Sequence, residues 1–407
     1  MAVYNVLIVG GGPTGLSAAT TTAKQGLTTL VIEEHTEIGK PLACGEGVSV
    51  EKLFSLENMP KIDSQINNQI LRLQRHESFV ERIVNAQRFF FGTKGVATAS
   101  MKTVTINRPL FDQIMAKQAQ NAGVELLLGA QVIAINPKNG RLEIRTTNES
   151  HEANIVIGCD GPSAHSVRMM GLQPPTEYVQ GVEYKIQGVH TDALDFYFNF
   201  NCFKKMHYGW SFPKKNHTNV GVVVEPASKP MKILDQFIRY LGYKNIKDEE
   251  IIQKIAGIIP ASGPIPKRYR NNFMVAGDAA GLTNSIFYGG ISIGIHSGML
   301  AGQTAVKAHE IGKFDEQQMS EYQKNSQLHP YTDPIIQQAH EILYNKFSGD
   351  DIETFGSWVD GWDITSLSMF RKVRLFLKAL FSPSMLKKFG DARIVAHGFS
   401  KSRDWGF

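Results

Sequence analysis

Cysteine is scarce in this 407-residue chain. Cys44, Cys159 and Cys202 are odd in number, widely scattered and never in a CxxC pair. That excludes a disulfide framework and a structural zinc site, and reduced thiols are expected. No stretch approaches the ~20 apolar residues that cross a bilayer, and residues 1–9 lack the basic start and cleavage site of a secretory leader. The expected location is therefore cytoplasmic. Charge of one sign is also in short supply. Lys and Arg number 43 against 38 Asp and Glu, a net +5, too little to imply a nucleic-acid partner. There is no HExxH and no GxSxG, so no metal and no hydrolase nucleophile is implied. With 42% hydrophobic and 20% charged residues the chain is neither disordered nor coiled coil.

What is present is ordered like a nucleotide-binding fold. Residues 4–9 read as a short buried strand, 16–25 as a helix and 29–33 as a second strand, a βαβ opening. A helix over 109–122, with Leu110, Ile114 and Ala119 inward, leads into strands at 124–128, 131–135 and 141–146. Residues 155–159 form another buried strand. The middle, about 179–224, alternates in the β manner and carries many aromatics, among them Tyr184, Phe196, Tyr208, Trp210 and Phe212; such a sheet needs a cover. Helices are expected near 231–241 and 248–255, a strand at 273–276, and a Gly-rich helix from about Gly289. The fold class is thus α/β: a doubly wound, Rossmann-like dinucleotide domain interrupted by a β-rich substrate domain, with a short helical C-terminal region. The expected boundaries give the nucleotide domain residues 1–75, 109–170 and 266–327, the substrate domain 76–108 and 171–265, and the helical region 328–407.

Gly10-x-Gly12-x-x-Gly15 closes the first strand and opens the first helix, where a pyrophosphate needs bare N–H groups and the positive end of a helix dipole. Glu33, ending the second strand, can accept ribose hydroxyls. This fingerprint serves NAD and FAD alike. Gly277-Asp278 favours FAD, because the strand before it delivers a carboxylate to the sheet edge, within reach of a ribityl hydroxyl.

With Gly10, Gly12 and Gly15 near the start, Asp160-Gly161 in the centre and Gly277-Asp278 late, the chain resembles the FAD-dependent family built like the aromatic hydroxylases, over residues 1 to about 310. Two further segments, Pro41-Leu42-Ala43-Cys44-Gly45-Glu46-Gly47 and Tyr208-Gly209-Trp210-Ser211-Phe212-Pro213, resemble the PxxCG and Tyr-x-Trp-x-Phe-Pro segments of the geranylgeranyl reductases, the digeranylgeranylglycerophospholipid reductase type included. The resemblance implies FAD as cofactor, contacted by Gly10, Gly12, Thr14, Gly15, Glu33, Cys44, Gly45, Gly47, Arg108, Val132, Asp160, Gly277, Asp278, Gly289, Gly290 and Ile291. It implies an isoprenoid lipid substrate lined by Tyr208, Trp210 and Phe212, with Cys44, Tyr208 and Trp210 at the reacting carbons.

The implied activity is saturation of geranylgeranyl C=C bonds in a diphosphate or glycerophospholipid, by hydride from reduced flavin N5 plus a proton. Cys44 reads either as that proton's donor or as a wall of the pocket. A second GxGxxG is missing, so the reductant is NAD(P)H bound transiently or a reduced carrier such as ferredoxin, delivered by an electron-donor protein. Alternatives on the same fold are a flavin monooxygenase or halogenase and a non-redox flavin-dependent isoprenoid cyclase. Lone histidines such as His207 and His296 read as satisfied by neighbours. Phe370, Val373, Leu377, Leu380 and Phe381 recur at helical spacing among Arg371, Lys372, Arg374, Lys378, Lys387 and Lys388. That pattern fits either peripheral contact with the inner face of the cell membrane or a solvated face packed on its own domain.

Overall fold

The computed structural model describes residues 2–49, 79–243, 248–364, 369–380, 382 and 386–402. The expected boundary between residues 75 and 76 lies outside them, as do Phe381 and the side chains of Lys372, Val373 and Leu380.

Val6, Leu7 and Ile8 are wholly buried, so both faces of the strand Val3–Val9 are covered, as a central parallel strand requires. It pairs in parallel with Thr29–Glu33 on one side and Ser150–Gly158 on the other, and Phe273–Val275 and Glu125–Leu128 extend the sheet in parallel beyond them. Three helices, Pro13–Ala23, Arg108–Asn121 and Ile291–Ile311, contribute to the core on one face. The antiparallel strands Val132–Lys138 and Arg141–Thr146 contribute to the core on the other. In register, Val9 stands beside both Ile32 and Gly158, and Gly158 beside Val275. Glu33 at the end of its strand and Gly10, Asp160 and Gly277 just past theirs therefore lie at one edge of the sheet. That edge is where a doubly wound sheet binds nucleotides.

Among the described residues the second sheet has eight strands, in the order Ile251–Pro260, Tyr178–Gln187, His217–Val224, Met206–Pro213, Leu194–Phe198, Val80–Phe91, Gly95–Ile106, Gly47–Ser49. Both its faces are covered. Val182, Tyr184 and Ile186 pack under the helix Pro230–Tyr240, while Tyr208, Trp210 and Phe212 point the other way, toward Phe287, Tyr288 and the C-terminal helices. Among those helices are Pro334–Glu341, Gly349–Val359 and Phe389–Ser402. The chain is thus α/β, a Rossmann-like sheet joined to a β-rich sheet and capped by a helical C-terminal region. No helix among the described residues is long and apolar enough to cross a membrane.

Two local expectations change. The segment expected as a helix over 248–255 is a single turn, Asp248–Glu250, followed by the strand Ile251–Pro260. Its isoleucines pair along nearly the whole of Tyr178–Gln187, and pairing overrides the helical reading of the charges before them. In Arg108–Asn121 the expected Ala119 is fully buried and Leu110 and Ile114 pack half-buried against the same core, but the deepest residues also include Phe111, Met115 and Ala116, which the expectation left out.

One contact joins the start of the chain to its last third. On Ile291–Ile311 the stripe Gly294, Gly298 and Gly302 faces Pro13–Ala23, and a Cβ on Gly298 would lie 2.1 Å from the carbonyl oxygen of Thr14. The two helices touch backbone to backbone. Gly298→Ala is expected to force them apart at a cost of about 1–3 kcal/mol in urea unfolding. Because Thr14 belongs to the glycine loop, retained cofactor should fall as well, read as the flavin-to-protein absorbance ratio after gel filtration. A variant of unchanged stability and flavin content would show that the contact is not tight.

Candidate functional site

The glycine loop follows from close packing. A Cβ on Gly15 would sit 2.0 Å from the carbonyl oxygen of Gly10, so the turn from strand to helix leaves no room for any other residue. The helix Pro13–Ala23 begins at Gly12 without a side-chain cap, which leaves its first N–H groups for a ligand. Glu33 closes the loop from the side. One carboxylate oxygen accepts the Gly11 N–H at 2.7 Å, and the other accepts the His35 N–H at 2.9 Å, with the His35 ring 2.6 Å away.

Two adjoining cavities open along this edge. The larger, of about 500 Å³, is lined by Gly10, Gly12, Glu33, Val132, Asp160 and Arg108. The smaller, of about 280 Å³, is lined by Thr14, Cys44, Gly45, Gly47, Asp278, Gly289, Gly290 and Ile291 on one side and Tyr208, Trp210 and Phe212 on the other. Gly12, Ala43 and Arg108 line both, so the two form one elongated cleft. Gly15 and Gly277 line neither; a Cβ on Gly277 would meet Thr14, so both glycines allow packing behind the cleft. Asp160 faces the larger cavity, but its carboxylate is engaged by the N–H and hydroxyl of Ser166, at 2.8 and 2.5 Å.

The aromatic wall is built by sheet register. Trp210 stands beside Gly221, which stands beside Glu183 on the next strand. With no side chain on Gly221, where a Cβ would lie 2.2 Å from the indole, Trp210 lies across that strand and donates its N–H to Glu183 at 2.9 Å. Gly45 and Gly47 pass over Trp210 and Phe212 at contact distance. Tyr208 donates to the carbonyl of Phe287 at 2.7 Å.

Behind this wall is a charged cluster that the sequence reading missed. Glu46 has a backbone φ of 64°, uncommon for a residue with a side chain, and its carboxylate is turned inward. It accepts from the ammonium groups of Lys185 and Lys214, at 2.9 and 3.0 Å, from the Asn219 amide and from the Arg108 N–H. Burial alone would raise its pKa, but the two lysines overcome that and hold it at about 2. Glu183, fully buried and close to Glu46, is pushed the other way, to about 8. A period-two signal existed, since Glu183 and Lys185 are the charged residues of the strand Tyr178–Gln187 and stand two positions apart. Arg108 forms two hydrogen bonds to Asp112, both at 3.1 Å, also missed. Burial raises the Cys44 thiol and Arg108 opposes the rise; the Cys44 sulfur accepts the Glu46 N–H at 3.2 Å. Burial likewise pushes Asp278 up to about 6 against Arg108, a carboxyl suited to sugar hydroxyls.

The elongated cleft, uncapped helix start and ribose-facing acid fit a dinucleotide at one end, and the Gly289–Gly290 turn fits a flavin ring at the other. These features define an FAD-dependent oxidoreductase. The chain belongs to the FAD binding domain family, whose model matches residues 3–259. It is 28% identical to a digeranylgeranylglycerophospholipid reductase of Methanocaldococcus jannaschii, covering 96% of this chain and 98% of that protein. It is also 28% identical to digeranylgeranylglycerophospholipid reductase 3 of Methanosphaera stadtmanae, covering 94% and 97%. Among solved structures, a geranylgeranyl bacteriochlorophyll reductase-like protein from Thermoplasma acidophilum superposes with a TM-score of 0.81 at 28% identity, over 96% of this chain and 99% of that one. A flavin-dependent brominase, at 15% identity and a TM-score of 0.68, shares the fold.

A carboxyl held at about 2 against an ordinary 4.5 contributes stability that is present above pH 4.5 and lost as pH falls through about 2. Glu46→Gln should therefore cost about 3–5 kcal/mol in urea unfolding at neutral pH, because it strands two buried ammonium groups. The difference from the natural chain should narrow as the pH is lowered to about 3. A difference that does not change with pH would show that the Glu46 charge is not what matters.

Proposed function

We propose that the chain saturates isoprenoid C=C bonds of a geranylgeranylated diphosphate or glycerophospholipid. The observation that carries this reading is the smaller cavity: a chamber walled by Tyr208, Trp210, Phe212, Phe196, Val223, Ile259 and Phe287 that opens directly on the Gly289–Gly290 turn. Near full-length similarity to proteins named as digeranylgeranylglycerophospholipid reductases supports it.

When bound, FAD in its reduced form supplies the hydride. Gly10, Gly12, Thr14 and Glu33 would hold the pyrophosphate and ribose, Val132 the adenine edge, Asp278 the ribityl chain, and Gly289, Gly290 and Ile291 the ring. The chain's own work is to keep the chamber dry. An isolated alkene offers no hydrogen bond, so it is selected by shape and by exclusion of water. As the proton arrives, positive character grows at the more substituted carbon, and in this reading the Trp210 ring lining the chamber would stabilise it. Cys44, beside Gly45, takes part as donor or as wall.

The reductant in this reading is NAD(P)H or a reduced carrier such as ferredoxin, brought by an electron-donor protein. Peripheral membrane contact falls to the basic helix Met369–Leu380, where Phe370 is 76% exposed, Leu377 is also exposed, and Arg371 and Arg374 lie over the Trp362 ring.

The test is anaerobic. Flavin reduced with dithionite should be reoxidised by geranylgeranyl diphosphate or a geranylgeranylated glycerolipid, and the lipid should gain one H2 per double bond by mass. Reduced flavin that persists beside unchanged lipid and then reoxidises rapidly in air would replace this reading with a monooxygenase. An isomerised lipid of unchanged mass would replace it with a cyclase.

A further inference from the structure

The aromatic chamber crosses the second sheet and has an open end and a closed one. Ile258 and Ile259 on its lining belong to Ile251–Pro260, the outermost strand among the described residues, and Ile258 is 50% exposed. Val223 on the third strand and Tyr208 and Trp210 on the fourth carry the lining inward, and Phe196 on the fifth is its farthest ring. Four spacings of ~4.8 Å between strands make the crossing about 19 Å, room for several isoprene units in line. Phe196 is buried and stands in register beside Trp210 on one side and Phe89 on the other. Its ring centroid lies 5.2 Å from that of Phe212 and 5.9 Å from those of Tyr208 and Phe287. Behind it Phe89 stacks at 5.2 Å, yet Phe89 does not line the chamber, and the residue paired with Phe89 on the next strand is only Ala97. At this point a single ring separates the chamber from the core.

We propose that Phe196 is the specificity-determining stop of the chamber: the free end of the isoprenoid abuts its ring, which fixes the C=C bond that lies at the Gly289–Gly290 turn. The inference deepens the reductase reading and rests on it. Charge sets the direction in which the lipid enters. Among the described residues Arg108 is the one cation on the chamber's lining, and Asp112 already engages it with two hydrogen bonds. A diphosphate or glycerophosphate taken inside would lose its water without gaining a counter-charge. The head group therefore stays at the Ile258 end, and the free end of the chain goes in first. Phe287, two residues before Gly289, touches Phe196, so the turn lies toward the closed end. Double bonds near the free end reach the turn first. Those nearest the head group come last, because the Phe196 ring stops the chain from sliding deeper. A phenyl ring and an isoprene unit are similar in size, so removal of the ring admits one more unit, against Phe89 and Ala97.

Two readouts test the assignment. In single turnovers of the reduced holoenzyme with a geranylgeranylated glycerolipid, the once-reduced product of the natural chain should be saturated at the bond farthest from the head group, located by fragmentation mass spectrometry. In Phe196→Ala, and in the milder Phe196→Leu, the share saturated one unit closer to the head group should rise about tenfold or more. Phe89→Leu opens space behind an intact Phe196 and should leave the natural pattern. Separately, and without turnover, NMR of the oxidised holoenzyme with labelled phenylalanine and the same lipid should show contacts from the terminal methyl groups of the chain to the Phe196 ring, whose signal is identified by its loss in Phe196→Leu. The assignment alone is overturned by a natural chain that first reduces the bond nearest the head group, by contacts to Phe196 from the methyl group nearest the head group, by folded, flavin-bearing Phe196 variants that keep the natural pattern, or by an equal shift in Phe89→Leu. A natural chain that yields no reduced lipid overturns the reductase reading and this assignment with it.

Discussion

The Glu46 carboxylate joins the cofactor edge to the β-rich sheet. It sits in the loop that carries Cys44, Gly45 and Gly47, yet its partners come from elsewhere: Lys185 and Asn219 from two neighbouring strands, Lys214 from the end of a third, and the Arg108 N–H from the start of a helix. A buried carboxylate with this many donors has one geometry available, because each lost bond would leave a desolvated charge. Holding Glu46 holds Gly45 and Gly47 against Trp210 and Phe212. It also brings Arg108 to Asp112 and to the neighbourhood of Cys44 and Asp278. The flavin end of the cleft and the aromatic wall therefore keep a fixed spacing, set by a residue that itself lines only one corner of the cavity.

The parts of this arrangement legible in the sequence are those set by local chemistry. The glycine loop, the Gly277-Asp278 turn and the central strands announce themselves through runs of Val and Ile followed by glycine, because a parallel strand covered on both faces can carry little else. The Tyr208-Trp210-Phe212 alternation likewise names one face of one strand. What stayed hidden depends on register. That Trp210 reaches Glu183 follows from the pairing of each with Gly221 across three strands, and no local pattern encodes it. Glu46 and Lys214 were in view inside recognised segments, but their pairing joins residues far apart in the chain. The strand Ile251–Pro260 was misread for the same reason: its partner strand, not its own composition, decides its state.

Near the chamber, several polar side chains find their partners inside the protein. Tyr208 is bound to a backbone carbonyl, Trp210 to a carboxyl, Arg108 to Asp112, and Tyr288 to two imidazoles. Such a pocket can exclude water, which a hydride acceptor that makes no hydrogen bonds requires, and the unpaired buried atoms, Oε1 of Glu183 and Oδ1 of Asn219, lie behind the wall. Polarity is not absent from the site. It is moved one layer back, where it fixes the orientation of the rings that face the chamber.

That layer also explains why one fold serves different chemistries. The brominase shares the architecture at 15% identity, so the two sheets by themselves do not select a reaction. In this chain the aromatic wall of the chamber is backed from outside both sheets. His340 and Tyr344 come from the helical C-terminal region, and Ile336, Ala339, Leu343 and Phe399 of that region pack on the aromatic wall. These residues back the aromatic wall, while the lining of the chamber itself comes from residues up to Ile291. The C-terminal region thus fixes from behind the rings that face the chamber, and a difference in reaction on the same two sheets can begin in that backing.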